Sequence, residues 1–193
     1  MAAAVLLLVA GSRTQTMSAA VMAAHAPGPV APVLTGLVLG SGHPLPACQP
    51  GRALRPACRL AGAAAWQADA GSLQTLRLAH DAPVAGLQPQ VVALQLGPVL
   101  ESVSLQFEGA IALERLPVVL DQLCGAAAVD SRLSLEGSGY LRSISWQCPD
   151  GEAQFTAVWQ HGRAQGALNL TTARGQAWFD GEPLPERQAL AMR

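Results

Sequence analysis

The chain has 193 residues, of which 50% are hydrophobic and 13% charged, and its formal net charge is −1. That length suits one domain, or one domain with an N-terminal appendage, and a charged share near half the usual (about 25%) leaves a bland surface. Near-neutrality without a basic cluster argues against nucleic-acid binding, which needs grouped cations to neutralise phosphates, and high apolar content argues against global disorder.

Residues 1–50 read as an export or anchor segment with a linker. No Asp, Glu, Lys or Arg occurs from Thr14 to Gly51. The apolar runs Ala3 to Ala10 and Met17 to Ala24 are each shorter than the ~20 residues that span a bilayer. Ala24-His25-Ala26 has the small-x-small form of a signal-peptidase site. A single span from Met17 to Leu39 would have to carry Pro27, Pro29 and Pro32, each costly inside a helix. A cleaved signal and a retained anchor both stay open.

Residues 51–182 read as one β-domain, followed by a tail over 183–193. Turn signals recur at Ala70-Gly71-Ser72, Gly137-Ser138-Gly139, Pro149-Asp150-Gly151, His161-Gly162, Arg174-Gly175 and Asp180-Gly181. Between them apolar residues alternate, as in Val103-Ser104-Leu105-Gln106-Phe107, or in Phe155, Ala157 and Trp159. A period of two with one apolar face marks a sheet packed on one side. Strands are expected near 57–67, 72–79, 91–96, 101–113, 131–136, 140–147, 152–160, 165–172 and 175–179. Leu113, Leu116, Leu120 and Leu123 fall at helical spacing before Gly125, so a short helix is expected from Leu116 to Leu123, with Pro117 in its first turn. The expected fold is mainly β: an antiparallel, strongly twisted sheet, a meander of short strands, with one short helix across one face and an N-terminal apolar leader or anchor.

Cys48, Cys58, Cys124 and Cys148 admit three pairings, of which Cys48 with Cys58 and Cys124 with Cys148 is the natural one. The alternative is four buried thiols, and the redox compartment decides between them. No Cys-x-x-Cys or spaced His pair suggests zinc. Ser138 lacks the flanking pattern of a nucleophile elbow, and His161 belongs to a hairpin turn. His43 and His80 also neighbour turn-like sequence, and the carboxylates are scattered through turns. No catalytic residue, metal ligand, cofactor or small-molecule substrate is assigned. Trp66, Trp146, Trp159 and Trp178 supply most of the aromatic area, either as core or as an interaction surface.

The order of these features resembles protein N of the type II secretion system. The residues carrying the resemblance begin with Gly62-Ala63-Ala64-Ala65-Trp66, continue through Gly109-Ala110-Ile111-Ala112-Leu113 and Leu116-Pro117, and end in Leu133-Ser134-Leu135-Glu136-Gly137-Ser138-Gly139-Tyr140-Leu141 with Ile144-Ser145-Trp146 and Val158-Trp159. The resemblance spans about 58–180. It implies a non-enzymatic component of the cell inner membrane whose periplasmic β-domain contacts other secretion-system proteins. A periplasmic lipid- or hydrophobe-binding β-protein is the alternative expectation.

Overall fold

A computed structural model of the chain describes residues 28–42, 45–49, 57–60, 66–68, 71–78 and 84–184. The two apolar runs and the signal-peptidase-like site lie outside the described residues. In chain order the elements are α1 (Val30–Thr35), β1 (Ala57–Arg59), β2 (Trp66–Ala68), β3 (Gly71–Leu78), β4 (Leu87–Leu96) and β5 (Val99–Glu108), then α2 (Ala110–Cys124). They continue as β6 (Val129–Ser134), β7 (Tyr140–Cys148), β8 (Gly151–Gln160), β9 (Arg163–Thr171) and α3 (Ala173–Phe179).

The described strands form one nine-stranded sheet in the order β1-β3-β4-β5-β9-β8-β7-β6, with β2 also pairing β3. Every pairing between these strands is antiparallel, so the mainly-β expectation holds. The sheet is two meanders laid side by side. One runs β3, β4, β5; the other runs β6, β7, β8, β9, and β5 joins them by pairing β9 from Ser102↔Thr171 to Glu108↔Gln165. Short turns make this cheap in chain length. The β8–β9 hairpin turns on His161 and Gly162, both at positive φ (52° and 74°), which suits the right-handed twist of the flanking strands.

Several expectations are corrected. Residues 110–113 begin a helix rather than end a strand: α2 runs 15 residues, and Pro117 lies inside it instead of in its first turn. Its buried residues Ala112, Leu113, Leu116 and Leu120 recur at helical spacing, and burying each Leu contributes roughly 1.5–3 kcal/mol, which outweighs local strand preference. Residues 175–179 are helical too. The Thr172 side chain caps α3 by accepting from the Gly175 N–H at 3.1 Å. The stretch 57–67 holds two separate short strands, and the described residues carry three helices rather than one.

The core lies between one face of the sheet and the helices α1 and α2. Phe107 and Phe155 stack at its centre, 5.2 Å between centroids, with Val103, Leu105, Ile144, Trp146 and Leu168 around them. Residues before position 50 belong to this core: Val30, Ala31 and Leu34 of α1, then Leu37, Leu39 and Leu45, are all buried. The backbone N–H groups of Val30 and Ala31 donate to the two carboxylate oxygens of Asp150, at 3.1 and 3.0 Å, so the β7–β8 turn caps α1.

Two disulfides staple this arrangement. Cys124 at the end of α2 bonds Cys148 at the end of β7, and Cys48 bonds Cys58 on β1. The expected pairing is the one the structure has. No helix among the described residues is long and apolar enough to cross a membrane.

Candidate functional site

With α1 and α2 occupying one face of the sheet, alternation sends every second side chain to the other face. On β5 these are Ser102, Ser104 and Gln106; across the register on β9 they meet Thr171, Asn169 and Ala167. β8 continues the rows with Glu152, Gln154 and Thr156, and β7 adds Gln147, Ser145 and Ser143. Ser102 and Thr171 hydroxyls are hydrogen-bonded at 2.9 Å, one row in from α3. The face is therefore hydrogen-bonding but almost uncharged at its centre.

Its two ends differ. Near β4 and the far end of β9 it hollows into a cleft of about 690 Å³, lined by Gln90, Gln106, Glu108, Thr156 and Gln165 among others. At the opposite end α3 lies over the sheet, leaving a groove of about 410 Å³ between Val92, Leu94, Ser104, Asn169, Gln176 and Phe179. Groups able to bind a ligand by hydrogen bonds thus sit beside a small apolar strip formed by Val92, Leu94 and Phe179.

The position of α3 follows from one irregularity in the sheet. The register slips between Leu94↔Ser102 and Gln95↔Leu100, so Glu101 is an extra residue on β5. Its side chain is almost fully buried, accepting from Thr172 Oγ1 at 2.5 Å and from Arg174 Nε at 3.2 Å. The Thr172 N–H also donates to the Glu101 carbonyl at 2.9 Å. Gly175 lacks a side chain because a Cβ there would meet that carbonyl at 2.7 Å. A charged group is held in a dry place here only because α3 supplies a cation and a hydroxyl to it.

Trp146, Trp159 and Trp178 do not form one patch. Trp146 is fully buried on the α2 side, its indole N–H donating to Asp121 Oδ1 at 2.7 Å. Trp159 packs against the same core from β8. Trp178 belongs to α3 on the other face, edge-on to Phe179 with centroids 5.2 Å apart, and close over Gly71. Trp66 lies on β2 opposite Leu73 in register. The four Cys are consumed by the disulfides. Ser138 has a positive φ of 64° in the β6–β7 turn, and His161 is exposed in its own turn. His25, His43 and His80 lie outside the described residues. Among the described residues no group of three His, Cys, Asp or Glu is placed to hold a metal ion.

A second ion pair lies at the sheet's end. Arg142 on β7 donates from Nε and Nη2 to both oxygens of Asp130 on β6, at 3.1 and 2.8 Å. That hydrogen bonding holds the Asp130 carboxyl below its ordinary value and the Arg142 guanidinium above its own, with burial opposing both. Sequence reasoning did not single out either residue, nor the bulge at Glu101; each depends on which strand lies next to which. Comparison with family models, with curated proteins and with solved structures gave no match.

Proposed function

We propose that the chain is a non-enzymatic component of the type II secretion machinery, associated with the inner membrane on its periplasmic side, where it acts through protein–protein contacts. The resemblance in motif order over 58–180 motivates the family. Its two disulfides suit an oxidising compartment such as the periplasm. The observation that carries the mode of action is the open sheet face. Its apolar counterpart is covered by the chain's own helices, while Ser104, Gln106, Gln154, Thr156 and Asn169 are turned outward. Rows of neutral hydrogen-bonding groups suit contact with a polypeptide better than with a lipid tail, which leaves such groups unpaired.

The alternative, a periplasmic hydrophobe-binding protein, draws on the apolar strip of the groove beneath α3. Deleting the chain from its host and assaying an exported enzyme tests the first reading. Secreted enzyme should fall in the medium and accumulate in the periplasm. Undiminished secretion refutes the role, and stoichiometric lipid in mass spectra of the purified protein favours the alternative.

A further inference from the structure

β6 ends the sheet, and among the described strands it pairs β7 alone. All six of its residues are exposed, with Val129 at 57% and Leu133 at 62%. Natural edge strands are usually blunted against pairing, so two large apolar side chains in the open invite an explanation. At the closed end of the β6–β7 hairpin, the Leu135 N–H donates to the Gly139 carbonyl at 2.9 Å. Antiparallel ladders alternate, so the peptide groups of Val129, Ser131 and Leu133 turn to β7. Those of Asp130, Arg132 and Ser134 face outward.

We propose that β6 is a self-pairing edge, joining a second copy of this chain antiparallel about a two-fold axis at Ser131. The sequence Val129-Asp130-Ser131-Arg132-Leu133 is its own complement about that centre. Val129 meets the partner's Leu133 on the open-face side of the sheet. Asp130 meets the partner's Arg132 on the other side, and the symmetry repeats both contacts. Neighbouring registers fail: centring on Asp130 opposes two carboxylates, and centring on Arg132 opposes two guanidinium groups. Both charged side chains are already held in place. Asp130 is bridged to Arg142 with its side chain still 47% exposed, and the Arg132 guanidinium lies 3.6 Å from the Tyr140 ring centroid. A two-fold axis perpendicular to the sheet keeps both open faces on one side, so pairing gives one continuous sheet with a polar face twice as wide.

The inference is independent of the secretion role, and its test reads association alone. The full oxidised chain, run in sedimentation velocity across a concentration series, should pass from monomer to dimer. At Ser131 the axis creates a non-hydrogen-bonded pair with Cα atoms about 4.5 Å apart, within disulfide reach. Ser131→Cys should therefore give a covalent dimer under mild oxidation, whereas Ser104→Cys, in the middle of the open face, should not. Asp130→Arg opposes like charges twice and should weaken association on the order of tenfold; adding Arg132→Asp should restore it. Circular dichroism checks that each variant keeps its sheet. A monomer at every concentration overturns the proposal, as does a dimer in which Ser131→Cys fails to cross-link.

Discussion

Trp146 is fully buried, yet its indole N–H reaches Asp121 on α2, so one hydrogen bond ties the helix to the sheet it crosses. Removing the acceptor strands a buried donor, which costs about 1–3 kcal/mol. Asp121→Ala should lower the unfolding free energy by that amount, read in urea as a lower midpoint with the slope unchanged, and Asp121→Asn, which keeps an acceptor, should recover most of it. The Asp130–Arg142 pair has a different signature. Its hydrogen bonds depress the folded-state carboxyl below the ordinary 3.8. The pair's contribution is therefore present above that value and lost as pH falls through the lower folded one. Solvent screening of this exposed pair limits it to about 0–1 kcal/mol. Stability measured from pH 6 downward should show a shallower acid limb in Arg142→Met than in the parent chain.

At the scale of elements, the disulfides differ in the loops they close. Cys124–Cys148 spans 24 residues and Cys48–Cys58 spans 10. Chain entropy alone gives roughly 3.4 kcal/mol for the longer loop and roughly 2.7 kcal/mol for the shorter. Replacing Cys124 and Cys148 together by Ala should lower stability by more than replacing Cys48 and Cys58, with urea unfolding as the measurement. The strands around Val103 to Phe107 and Phe155 to Trp159 were legible because their alternation is local. So was the Leu spacing of α2, although its first turn was not. Ala110 to Leu113 is an unbroken apolar run whose pattern fits strand and helix alike, and in the folded chain Ala112 and Leu113 are buried as part of the helix. α3 was hidden by Gly175, which reads as a turn in sequence but is small because Glu101 backbone lies against it. The bulge that exposes that need is a mismatch between β4 and β5, and a single strand read alone carries no sign of it.

For the whole molecule, the polar rows of the open face were visible strand by strand, as Ser104 and Gln106 or Asn169. Their union was not, since β5 and β9 are far apart in the chain and meet only in the finished sheet. That seam should also be its most durable part. Strands β5, β9 and β8 are paired on both sides and backed by Phe107, Phe155 and Leu168, whereas β6 is exposed throughout. Native-state hydrogen exchange on the dilute monomer should find the slowest amides in β5, β8 and β9 and the fastest strand amides in β6.

The cap on α1 sets an order of events. Asp150 stands 120 residues after Val30, so a chain emerging from its N-terminus cannot close that helix until the β7–β8 turn has appeared. β5 waits longer still, because its second neighbour is β9, the last of the described strands. Until β9 arrives, the strand that ends up at the middle of the sheet is a bare edge, open to any extended segment nearby. During emergence the chain is most vulnerable to mispairing at the place that becomes its most secure once it is complete.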